Sequence, residues 1–166
     1  MASRSDFTDE EWNLLLKTPA IAGIVVVTAA PSGPIGVFKE LQTMGKWILD
    51  AGTKASPGSL VSALVEDIRA IAERKRPAPP DEKIPPDQFR PRALETLRRA
   101  TALLPAKATP AEIEEWKQWT LDVAANLAKA AKEGTVFGFG GTLVSDAERA
   151  ALRDIAEALG TTAPAI

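Results

Sequence analysis

Two glutamates stand where a carboxylate can do chemistry, Glu40 and Glu148, each placed early on a helix that follows a glycine turn. The first comes after Ala29-Ala30-Pro31-Ser32-Gly33 and Gly36. The second comes after Ala130-Ala131-Lys132-Glu133-Gly134 and a glycine-rich loop. Both stretches run from an apolar helix through Ala-Ala and a glycine turn to an early glutamate, which is an internal echo. Such a turn sets loop carbonyls beside a carboxylate at a helix start, an oxygen-rich arrangement suited to a hard cation such as Ca²⁺ or Mg²⁺. Little else is on offer. The 166 residues include no His, no Cys and no Tyr. That excludes Ser–His–Asp and Cys–His nucleophiles, histidine-ligated haem, structural zinc of the usual kind, and disulfides. An acid–base pair of Glu40 and Glu148 is the enzymatic arrangement left open. With so few players, the sequence reads as that of a non-enzymatic protein without an assigned catalytic residue or organic cofactor.

The other motifs carry less. Ser32-Gly33-Pro34-Ile35-Gly36 lacks the Gly-Lys-Ser/Thr ending of a phosphate loop, and Gly138-Phe139-Gly140-Gly141 has Leu143 where a dinucleotide fingerprint needs its last glycine. Both read as turns. Four tryptophans are present. Trp116 lies on an apolar helical stripe, whereas Trp47 and Trp119 fall beside theirs, where they either widen the buried face or anchor a protein contact. Charge adds a second candidate surface. The whole chain has a net charge of −2, but Arg69 to Arg99 holds nine basic residues against five acids, and Asp6 to Glu11 is the densest acidic run. The basic end reads as a solvated face or as a docking patch, with Arg98 and Arg99 its foremost residues, for an acidic partner or an anionic membrane surface. The overall balance and the lack of aromatic–basic interleaving argue against nucleic acid.

These residues need helices to position them, and helix signals dominate. Thr8-Asp9-Glu10-Glu11, Thr109-Pro110-Ala111-Glu112 and Ser145-Asp146-Ala147-Glu148 each fit a capping box. Apolar periodicity predicts helices over about 9–17, 20–30, 35–51, 59–75, 91–104, 110–133 and 146–159, the first stopping before Pro19 and the last capped by Gly160. A tiny hairpin over Thr135 to Ser145 is the one strand signal. Pro77 to Pro91 carries six prolines in fifteen residues and predicts an extended connector. The expectation is therefore an all-α protein of about seven helices, one helical domain over 1–166. Quasi-twofold halves, about 1–76 and 91–160, are joined by the connector at 77–91. The first residues lack the apolar core of a signal peptide, and the most apolar run, Ile21 to Ala30, is too short to span a bilayer. A cytoplasmic protein is expected, with membrane contact no deeper than the surface.

The stretch from Ala130 to Gly160, above all Val144-Ser-Asp-Ala-Glu-Arg-Ala-Ala-Leu-Arg-Asp-Ile-Ala-Glu-Ala-Leu-Gly160, resembles the closing segment of the tellurite resistance protein B (TerB-like) family. The first repeat, Ile21 to Leu41, is similar more loosely. The resemblance implies a bacterial seven-helix bundle, a role in stress-response assemblies near the membrane, and an acidic site between the halves linked to divalent cations. Carried over position by position, that site implies Glu40, Glu133 and Glu148, with Ser32 a weak fourth. The family's Asp before Gly is Ser32 in the first repeat and Glu133 in the second, and the Gly-to-Glu spacing is longer here. The alternative reading is a helical interaction or scaffold subunit, itself open to homo-oligomerisation, that docks a protein partner through Trp47, Trp119, Arg98 and Arg99.

Overall fold

The computed structural model describes residues 1–29, 44–74, 86–133 and 144–165. Among these residues the chain forms six α-helices: α1 (Asp9–Val27), α2 (44–52), α3 (Leu60–Glu73), α4 (Pro86–Leu103), α5 (Pro110–Glu133) and α6 (Asp146–Leu159). Short 3-10 turns at Arg4–Asp6 and Leu104–Ala106 complete it, and no strand occurs among the described residues. The all-α class expected from the sequence is observed. The Glu40 and Ser32 positions and the glycine-rich loop with its hairpin signal lie outside the described residues.

All three capping boxes form. At α1, Thr8 Oγ1 accepts the Glu11 N–H at 3.2 Å while Glu11 Oε2 accepts the Thr8 N–H at 2.8 Å. At α5 the Thr109 and Glu112 bonds are 3.0 and 3.3 Å, and at α6 the Ser145 and Glu148 bonds are 2.7 and 3.2 Å. Each box fills amides that a helix start leaves without partners. Gly160 closes α6 at φ 65°, in the left-handed region that glycine enters without a Cβ clash.

Two boundaries differ from expectation, both at prolines. Segments 9–17 and 20–30 are one helix, with Pro19 inside α1. Pro19 removes the amide that would bond the Leu15 carbonyl, a loss of roughly 3 kcal/mol in an unsupported helix. Packing outweighs it, because Trp12, Leu15, Pro19, Ala22 and Val26 form an unbroken buried stripe at three- and four-residue spacing. Likewise α4 begins at Pro86, so the last residues of the expected connector, 86–91, are helical and Pro91 is internal. Phe89 packs on the core, and Arg90 pairs with Asp154 of α6 at 2.8 Å. Tertiary contacts thus hold the turn that Pro91 weakens. The rest of the connector lies outside the described residues.

Helices α1 and α5 are the centre. They pack on each other, α4 lies against α1 and α6, α6 also touches α5, and α3 rests on α5. The buried apolar residues of all six helices form one cluster. Trp116 is fully enclosed, and Trp119 Nε1 donates to the Ile48 carbonyl at 3.1 Å, tying α5 to α2. Close approach matters at Gly52, where a Cβ would overlap Val65 Cγ2 and stand 3.4 Å from Trp119 Nε1. Val65 is β-branched and buried, so it has no free rotamer to yield. Gly52→Ala is expected to lower stability by about 1–3 kcal/mol, read as a lower urea midpoint at unchanged slope. An unchanged midpoint would show that the α2–α3–α5 junction is looser than its geometry.

Candidate functional site

The carboxylate candidates separate. Glu148 is 4% exposed, at the head of α6. Its Oε2 accepts both the backbone N–H and the hydroxyl of Ser145, each at 2.7 Å. Its burial and its bonds are those of a helix cap. Glu133 ends α5, and its side chain, like Glu40, lies outside what is described. Among the described residues no group of three or more Asp or Glu side chains is gathered closely enough to hold a metal ion. The described donors therefore do not fit a cation by themselves, and Glu148 is already engaged.

Glu112 and Glu11 repeat the pattern and extend it. Glu112, 6% exposed, accepts from Thr109 and, through Oε1, from the Ala2 N–H at 2.8 Å. It thereby fixes the first residues of the chain to the start of α5. Burial alone would raise its pKa, but the Thr109 and Ala2 hydrogen bonds and the amino-terminal charge outweigh burial and hold it below its usual 4.5. Glu11 is lowered chiefly by Lys107, whose Nζ lies 2.6 Å from Glu11 Oε2, and then by the Thr8 amide. Lys107 also donates to the Asp6 carbonyl at 3.0 Å and sits 5.4 Å from the Phe7 ring centroid. The acidic run near the start of the chain is thus partly structural, used for caps and clips rather than left wholly to solvent.

The tryptophans turn inward. Trp119 is 3% exposed, so it is not available as a surface anchor, and Trp47 is half-buried against the core. Trp12, 2% exposed, donates its Nε1 to Asp67 Oδ2 at 2.7 Å, with Arg4 over its ring. Trp119 widens the buried face of α5 because that helix is covered from several sides at once, by α1, α3 and α6. The arginines remain outside. Arg98 is exposed and reaches Glu95 at 3.6 Å; Arg99 is exposed and takes no ion pair among the described residues.

Arg99 lies in a surface groove of about 750 Å³ between α1 and α4, floored by Leu14, Ala102 and Leu103 and edged by Glu10, Asn13 and Lys17. Of these only Arg99 was singled out from the sequence. The missed signal was the row Glu10, Asn13/Leu14, Lys17, which shares one helical face at three- and four-residue spacing. In Leu14-Leu15-Leu16 the pattern does not say which leucine faces the core; in the fold Leu15 is fully buried while Leu14 stays half-exposed. The chain matches no family model, no curated protein and no solved structure. No helix among the described residues is long and apolar enough to cross a membrane.

The lowered carboxylates make a pH prediction. A group whose pKa is lower folded than unfolded contributes stability above its unfolded value, and that contribution is lost as pH falls through the folded one. Stability to urea is therefore expected to be level above the ordinary value of 4.5 and to fall below it as Glu112 and Glu11 take up protons. Glu112→Gln is expected to flatten part of that acid limb. An identical pH profile for the variant would remove Glu112 from the account.

Proposed function

We propose that this chain is a non-enzymatic, all-helical protein that works by holding a protein partner at the groove between α1 and α4. The observation that carries the reading is Arg99, an exposed guanidinium without an ion pair among the described residues, beside the half-buried leucines Leu14 and Leu103. An apolar floor with an uncommitted charge at its edge is the chemistry of a contact surface. The sequence supports the non-enzymatic part, since it lacks His, Cys and Tyr. Charge reversal at Arg98 and Arg99 is expected to abolish recovery of the partner in a pull-down, while Arg153→Glu, exposed on α6, leaves it intact. Equal recovery with both variants would sink the groove as the contact.

The TerB-like resemblance extends the proposal to a cytoplasmic bacterial stress-response role and to a divalent cation shared by Glu40, Glu133 and Glu148. The resemblance is strongest over α6, Asp146–Leu159, and the Gly160 that caps it. No step of the contact function runs through a cation. Calorimetric titration of chelator-stripped protein with Ca²⁺ and with Mg²⁺ decides that part. Saturable heat that Glu40→Gln removes is the expected result; absence of heat and of any thermal shift with either ion would discard the cation and leave the contact reading standing.

A further inference from the structure

The groove is its own complement. Helix α1 presents Glu10, Asn13, Leu14 and Lys17 on one exposed or half-exposed face. Lys107, four residues beyond the end of α4, bonds Glu11 and the Asp6 carbonyl at the start of α1, so the two adjacent helices run antiparallel. Leu103 therefore lies toward the Glu10 end, and Arg99, one turn earlier on α4, lies toward the Lys17 end, about 6 Å away along the axis. The face is acidic at one end, apolar in the middle and basic at the other. A surface of that polarity meets a copy of itself under a twofold rotation about its centre, acid on base twice and apolar on apolar once.

We propose that the occupant of the groove is a second copy of this chain, docked by a twofold contact in which Glu10 of each copy faces Arg99 of the other and the two Leu14 side chains meet near the axis. The inference rests on the contact reading of the groove. Glu10 and Arg99, both exposed and at opposite ends of the groove, have no ion pair among the described residues, which leaves both charges open to a second copy. A different protein requires no such internal matching of charge. The electrostatic part is exposed, so the contact is salt-sensitive and its charge pairs set register more than affinity.

Sedimentation velocity of the full chain over a broad concentration range is the test. The expected result is a monomer–dimer equilibrium weakened about tenfold by Glu10→Lys or Arg99→Glu, a shift of about 1.4 kcal/mol. The double variant E10K/R99E restores the pairing with its sign inverted and is expected to dimerise as the parent does. A chain that stays monomeric at every concentration would overturn the second copy as occupant, and the pull-down above would still judge the groove. A dimer indifferent to the groove variants but lost in Arg153→Glu would place the contact on α6 and overturn the groove as well.

Discussion

The closeness of α1 to α5 is the constraint on which the rest depends. At Gly23 a Cβ would stand 2.5 Å from Leu127 Cδ1, so the two helices meet where one has no side chain. That approach lets the stripe from Trp12 to Val26 bury itself against α5, and the burial keeps α1 continuous through Pro19. A continuous α1 in turn gives α4 a full-length neighbour, and the surface left between them is the groove. Had the chain broken at Pro19, the buried stripe that starts at Trp12 would stop short of Ala22 and Val26.

Lacking His, Cys and Tyr, the protein spends its acids on structure. Glu11, Glu112 and Glu148 each close a helix start, and the first two also reach across the fold, to Lys107 and to the Ala2 amide. Hydrogen bonds to the charged form lower both pKa values, Glu11 chiefly through Lys107 and then the Thr8 amide, and Glu112, against its burial, through Thr109 and the Ala2 amide. The core carries a cost of its own on the same helix. Trp116 Nε1 and Thr120 Oγ1 are buried with no partner among the described residues, each a penalty of about 1–3 kcal/mol that the apolar burial around α5 must exceed.

Much of the fold was legible in the sequence. The boxes at Thr8, Thr109 and Ser145 form as written, because a cap is decided by residues within one turn of each other. For the same reason α5 and α6 begin and end at the expected residues, with Gly160 supplying the left-handed turn. The candidate site was legible only in part. Arg99 was found because unbalanced charge can be counted along a chain. Trp119 was open to a docking role because a side chain beside the stripe can be either inside or out, and only the packing of α2 against α5 places its indole N–H on Ile48.

What the sequence by itself determined is local: helix starts, the glycine stop, the all-α class and the lack of His, Cys and Tyr. The tertiary structure decided everything that sets a local preference against a distant gain. It carried two helices through Pro19 and Pro91, tied Arg90 to Asp154, drew Lys107 to Glu11, and left Leu14 outside while Leu15 went in. Proline's missing amide is a fixed local loss visible in any sequence, whereas the burial that offsets it exists only once another helix is there to be buried against.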